Sequence, residues 1–426
     1  AQRAMAISPH SESNPALQLI LIYALSVQPI VSATGYTLQI FGNANLDDTI
    51  DESDIAYVRD VIAGKSASTE LSDANRDGIV DDDDIVLIEK IINSTEDHLD
   101  LKAFTIYDKA KIVTVSMPVE KIIILNLACA EAIRCIKAED KVIAIGSSTV
   151  EGSNKDFFSD LSSLPTVGKW SDPDIESILR LQPDLVIADL RTPDTEKLED
   201  KLQESGIGVI RMGFTYPDYS QAEMMALGYI LSKRDEAKEY TNFAGEYIDL
   251  IEQRISSITE KERPVVYPIY YTSDNLWKSG SNGSIVDMLC GLAGGSNIVH
   301  NLTGGTGGMY PTVDPEWVVK ENPEIIYTWS SPGGYSVTND TQMKELWTRI
   351  AKAPELSQVD AAKNERIYLM TTEITSRPRW FVGLSYLAKW MHPDLFMDLD
   401  PEAIHKKYLE KFQGVNYQGS FVYPAN

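Results

Sequence analysis

The sequence is poor in cysteine, histidine and basic residues, and each shortage removes a class of function. Three cysteines, Cys129, Cys135 and Cys290, in 426 residues cannot build a disulfide framework. Cys129 and Cys135 lie six apart on an expected helix and face different directions, so all three read as buried thiols. Five histidines (His10, His98, His300, His392, His405) fall short of the imidazole clusters that hold bare Zn²⁺, Mn²⁺ or Cu ions, with only His300 placed plausibly. Lys and Arg total 38 against 63 Asp and Glu, a formal net charge of −25, so no basic stripe exists to neutralise nucleic acid. Outside residues 16–33 no apolar run approaches the ~20 residues of a membrane span. Nor is there a Gly-x-Ser-x-Gly nucleophile elbow, and no lysine follows the glycines of residues 304–308 to complete a phosphate-binding loop.

What is present begins with an apolar stretch ending in Val31-Ser32-Ala33, which makes residues 1–35 a signal-peptide-like segment. Acidic charge then concentrates in residues 43–100, where an internal repeat explains it. Asn43, Asn45, Asp47, Thr49, Asp51 and Asp54 align with Asp73, Asn75, Asp77, Ile79, Asp81 and Asp84, each set leading into an amphipathic helix. Oxygen ligands at loop positions 1, 3, 5, 7, 9 and 12, with Gly78 at position 6, are the spacing that Ca²⁺ requires. Two Ca²⁺ sites are expected, the second stronger, because in the first Asn43 replaces the acidic first ligand and Asp48 the glycine. Residues 40–100 resemble a dockerin, a small all-α EF-hand-like domain whose loops end in Asp. That resemblance implies a cohesin-like partner, although Glu52-Ser53 and Asp82-Asp83 stand where dockerins carry a small hydroxyl pair. A Ca²⁺-rigidified spacer is the other reading.

From residue 103 strands and helices alternate, the pattern of an α/β fold with a parallel sheet in each of two Rossmann-like lobes. Two segments 140 residues apart say the same thing: Asp174 to Ala188 and Asp314 to Thr328 each pair an acidic N-cap and short helix with a proline and a β-branched strand. Between them, residues 235–258 carry apolar positions at helical spacing. The expected organisation is a first lobe over 103–234, a rigid linking helix over 235–260, and a second lobe with terminal helices over 264–426.

Residues 105–415 resemble the substrate-binding proteins of ABC importers for cobalamin, siderophores and haem, the class III periplasmic-binding-protein type. The resemblance rests on Val119 to Asn126, Leu164-Pro165-Thr166-Val167-Gly168, Ser279-Gly280-Ser281, Leu292 to Ile298 and Leu387 to Pro393, in that order. It implies an extracytoplasmic, non-catalytic and monomeric receptor that delivers a small-molecule metal complex to an ABC permease. It also implies that Glu176 and Glu316 dock onto the permease. In the cleft it places Trp170, Arg191, Tyr271, Trp277, Trp329, Arg377, Arg379 and Trp380 against the ligand. Aromatic faces beside guanidinium groups suit a large planar or chelating anion. A cell-surface scaffold assembled through the repeat, or an enzyme using the interlobe cleft, remains the alternative at this level.

Overall fold

The structure, a computed structural model, describes residues 38–424 apart from 94–97, 106–107, 153, 272–274 and 305–307. The signal-peptide-like segment and most of the 304–308 glycine loop therefore lie outside the described residues.

The repeat folds as two loop-helix copies, α1 (Glu52–Ile62) and α2 (Asp82–Asn93), followed by a hairpin of β1 (Leu99–Thr105) and β2 (Asp108–Met117). Asp51 caps α1 and is answered by Asp54 in a capping box, which fixes where the helix starts. The two copies use the same bonds. Asp54 accepts from the N–H groups of Asn45 (3.1 Å) and Asp51 (2.9 Å), and Asp84 accepts from those of Asn75 (3.1 Å) and Asp81 (2.9 Å).

The first lobe comprises β3 (Ile122–Ile124), α3 (Leu127–Cys135), β4 (Val142–Ile145), α4 (Asn154–Phe157), β5 (Gly168–Lys169), β6 (Asp172–Pro173), α5 (Ile175–Leu181), β7 (Leu185–Ala188), α6 (Glu199–Gln203), β8 (Gly208–Arg211) and α7 (Pro217–Ile230). Its parallel sheet has the order β4-β3-β7-β8, and β3 and β7 are buried along their whole length, as their unbroken apolar runs require. The linking helix α8 (Arg234–Ile255) spans 22 residues, about 33 Å. It ends short of the expected 260, where the hydroxyls of Ser256 and Ser257 turn back onto the carbonyls of Gln253 and Arg254.

The second lobe follows with β9 (Val265–Ile269), α9 (Ile285–Leu292), β10 (Ser296–Asn297), α10 (Pro315–Glu321), β11 (Ile325–Thr328), α11 (Thr341–Lys352), α12 (Asp360–Lys363), β12 (Ile367–Met370), α13 (Trp380–Met391), α14 (Pro401–Tyr408) and β13 (Val422–Tyr423). Its sheet order is β10-β9-β11-β12-β13, with only the edge strand β13 antiparallel. The last helix bridges the lobes: Tyr408 and Gln413 reach Glu131 on α3 of the first lobe, before the chain returns to the second-lobe sheet as β13. No described helix is long and apolar enough to cross a membrane.

The twin segments are near copies in three dimensions. Asp174 and Asp314 cap α5 and α10 by accepting from Ser177 (3.3 Å) and Trp317 (3.0 Å), and both helices close on a left-handed residue, Gln182 and Asn322, each at φ 48°. Each then enters the central strand of its lobe, β7 or β11.

Candidate functional site

In a parallel α/β sheet, ligands sit beyond the carboxyl ends of the strands. Past β9 and β11 those ends carry an aromatic wall. The Tyr270 and Trp329 rings lie 4.8 Å apart, Tyr310 lies 5.2 Å from Tyr270 and stacks at 17° on Trp329, and the Lys278 ammonium sits 4.8 Å over Tyr270. The Trp329 indole is buried, yet among the described residues its Nε1–H has no partner. Burial pushes the Tyr310 phenol upward, and the fields of Tyr216 and Arg191 from the first lobe and Tyr270 from the second both reach it. Tyr216 and Tyr219 pair at 5.5 Å on the first-lobe side. Flat apolar faces, two cations and one unsatisfied donor are therefore grouped where the two lobes meet.

Strand alternation sorted the candidates differently from the sequence. Of the neighbours Tyr270 and Tyr271, and Trp277 and Lys278, the wall uses Tyr270 and Lys278. Tyr271 and Trp277 pack instead against the inner core around Tyr267 and Ile269, with Arg349 over the Tyr271 ring. Adjacent residues of an extended chain point to opposite sides, so both members of a pair cannot face the cleft. Trp170 is 38% exposed at the turn joining β5 and β6, and Arg191 is exposed after β7. Tyr310, Tyr216 and Lys278 were missed; the tyrosines stand in loops beside Pro311 and Pro217, where no periodicity marks them.

Arg377, Arg379 and Trp380 have other partners. Arg379 and Glu131 are fully buried and meet at 3.1 Å; Arg377 approaches Glu131 at 3.8 Å and Glu373 approaches Arg379 at 3.4 Å. Arg379 also donates to His405 Nε2 (3.2 Å), and Tyr408 donates to Glu131 (2.7 Å). Burial, then the Arg379 charge, hold His405 well below its ordinary value, so it is the neutral acceptor in this group. Arg377 pays for its position with a left-handed backbone at φ 75°. Trp380, 1% exposed, donates Nε1–H to Ser220 on α7 at 2.7 Å. These three residues therefore tie the second lobe to the first rather than offering a ligand face. Sequence alone could not separate the two roles, because an arginine signals an anion without saying whether that anion is a ligand or Glu131.

Glu176 and Glu316 are exposed in the first turns of α5 and α10. A groove of 920 Å³ lies elsewhere, along α7 and α8 with Asp48 and Thr49 at one end, away from the aromatic wall.

In the repeat, most loop oxygens are turned onto loop N–H groups. Asp73 accepts from Asp77 (3.2 Å) and Gly78 (2.9 Å), Asp77 from Ile79 (2.9 Å), and Asp47 from Thr49 (2.7 Å). Among the described residues no group of three or more His, Cys, Asp or Glu is disposed to hold a metal ion. The first loop nonetheless carries an unmet demand. Asn43 is fully buried with its Oδ1 unpartnered among the described residues, and burial pushes Asp54 up to about 7, with Asp47 and Asp51 adding to the shift. Gly78 takes the turn at φ 95°, a conformation that Asp48 does not adopt at the same position of the first loop.

A family model described as periplasmic binding protein matches residues 122–374. No curated protein matches the sequence. Among solved structures, the chain is similar to the TroA-like periplasmic binding protein FepB from Veillonella parvula (22% identity, TM-score 0.64, 74% of this chain and 97% of that one). It is also similar to Ceue from Helicobacter pylori with Ni(II) bound (19%, TM-score 0.57, 74% and 97%) and to the molybdate periplasmic binding protein MolA from Haemophilus influenzae (17%, TM-score 0.58, 73% and 97%). At these identities the likeness is one of fold.

Proposed function

The chain belongs to the periplasmic binding protein family, and from that premise we propose that it is an extracytoplasmic solute receptor that presents a small-molecule metal complex to an ABC permease. The observation that carries the ligand class is the wall of Tyr270, Tyr310 and Trp329, with Lys278 over Tyr270, the Arg191 charge felt at Tyr310, and a buried indole N–H unpartnered among the described residues. A buried N–H beside the Lys278 ammonium suits an oxyanion acceptor, and stacked rings suit flat apolar surface. A metal chelate with carboxylate or phenolate oxygens, such as an iron-siderophore, haem or a corrinoid, supplies both. Ceue with Ni(II) bound and MolA bound to molybdate, both of this fold, accord with metal cargo. A non-catalytic role accords with the family.

Each lobe offers one exposed glutamate, Glu176 and Glu316, on geometrically matched helices. We assign both to permease docking, so that the transporter engages the two lobes together. The repeat loops are assigned Ca²⁺, the second more strongly; on that reading the loop oxygens now bonded to N–H groups are shared with the ion. The test is calorimetric titration of purified receptor with ferric siderophores, haem and cobalamin. Tight 1:1 binding without turnover supports the proposal, and chemical conversion of any of them would refute it.

A further inference from the structure

The repeat unit is tied down at three separate places, once to the hairpin that follows it and twice to the receptor itself. Residues 39–41 pair with β1, through Phe41 N–H to Lys102 O (2.9 Å) and Phe104 N–H to Gln39 O (3.0 Å). Arg234, the first residue of the linking helix, donates to the last carbonyls of α2, Ile92 (2.6 Å) and Ile91 (3.4 Å), and lies over the Tyr229 ring at 5.4 Å. The third tie enters a loop directly. The Tyr229 hydroxyl, at the end of α7, accepts from Ile50 N–H (2.7 Å) and donates to Ile50 O (3.3 Å). Ile50 is position 8 of the first loop, between the expected ligands Thr49 and Asp51. Ile50, Ile55, Ile88 and Ile91 also share one continuous buried cluster with Phe214, Met224 and Tyr229 of the first lobe.

A module meant to swing freely, or to plug into another protein, would finish its own core and keep its loops clear of the chain that follows. Here the loop backbone is held by a lobe side chain that is itself 6% exposed. We propose that the repeat is an internal brace docked on the first lobe through Tyr229 and Arg234, and that cation binding in its first loop is transmitted through Ile50 and Tyr229 to the start of the linking helix. Among the described residues the second loop itself has no such bond to α7 or α8: Arg234 holds the far end of its helix α2, and Lys102, which reaches Asn75 O, belongs to the hairpin. The fully buried, unpartnered Asn43 Oδ1 marks the first loop as the one with an unfilled polar position. The calcium half of this inference rests on the loop assignment above; the docking half does not.

The experiment uses the full chain and three variants, Tyr229→Phe and the matched pair Asp51→Asn and Asp81→Asn. Calorimetric titration counts the Ca²⁺ bound, and thermal unfolding with millimolar Ca²⁺ or with chelator reads the coupling. Hydrogen exchange in α1 and in β7 shows whether module and lobe open together. For the unaltered chain, module and lobe should unfold in one transition that Ca²⁺ raises by at least about 2 °C. Tyr229→Phe should let α1 exchange well before β7. Asp51→Asn should lose one bound Ca²⁺ together with the thermal shift, whereas Asp81→Asn loses one Ca²⁺ and keeps most of the shift. Early exchange of α1 in the unaltered chain overturns the docking. Bound Ca²⁺ without a shift of the lobe overturns the coupling, and no bound Ca²⁺ overturns the loop assignment while exchange in Tyr229→Phe still decides the docking.

Discussion

Replacing Glu131 with alanine is the sharpest probe of how the two lobes are held. Arg379 has no exposed side-chain surface, so its charge cannot turn to water when its partner at 3.1 Å is removed. Glu373 at 3.4 Å and neutral His405 at 3.2 Å remain. Arg377, 13% exposed, can relax outward. Stranding one member of a buried pair costs about 3–5 kcal/mol, and the Tyr408 hydroxyl loses its acceptor for about 1 kcal/mol more. The total, about 4–6 kcal/mol, should be read in urea unfolding followed by tryptophan fluorescence, with a fall in Tm of about 5–7 °C. Glu131→Gln keeps the shape and the Tyr408 bond and should cost less. The pair Glu131→Gln with Arg379→Met removes both charges and should recover at least about 2 kcal/mol relative to the sum of the single changes. A loss below about 1 kcal/mol for the alanine variant, or strict additivity in the double variant, would refute the view that this cluster locks the lobes.

Three further outcomes are expected. Trp329→Phe removes the unpartnered donor, so ligand affinity should drop about 10-fold in titration calorimetry with no loss of Tm; unchanged affinity would take Trp329 out of the site. The double change Glu176→Ala and Glu316→Ala should abolish uptake in a reconstituted transporter while leaving ligand affinity intact, and weakened binding would move those glutamates into the cleft. Burial pushes Glu223 up to about 8 from 4.5, its bonds from Gly213 and Phe214 N–H offsetting only part of the cost. The folded state then keeps a proton that the unfolded chain has lost. Stability should accordingly fall as pH rises between those two values, by at most about 1.4 kcal/mol per pH unit. Glu223→Gln should flatten that slope, and an unchanged pH profile in the variant would assign it to another group.

Much of the architecture was legible because it is written in local terms. The strand that closes each twin segment was legible, ending at Ala188 and at Thr328, since in both a β-branched run follows a helix stop and a proline at the same spacing. The β1–β2 hairpin was not anticipated. Its Leu99 to Met117 stretch mixes Lys and Asp with apolar residues, and it forms by pairing with itself and with residues 39–41 rather than by entering a lobe sheet. Site residues fared worse than elements. Trp329 stood out because it follows a buried strand directly, whereas Lys278 and Tyr310 were indistinguishable from any surface loop residue.

The sequence by itself determined the two like lobes, the helix between them, the doubled acidic loop and the matched glutamates, because caps, periodicity and ligand spacing act over a few residues. Only the tertiary structure decided what the polar and aromatic side chains are for. Whether an arginine meets a solute or Glu131, whether Tyr270 or Tyr271 faces the cleft, and whether the repeat hangs free or is gripped by Tyr229 depend on partners far away in sequence, 179 residues for Ile50 and Tyr229. Such partners are chosen by packing, which a local pattern does not encode.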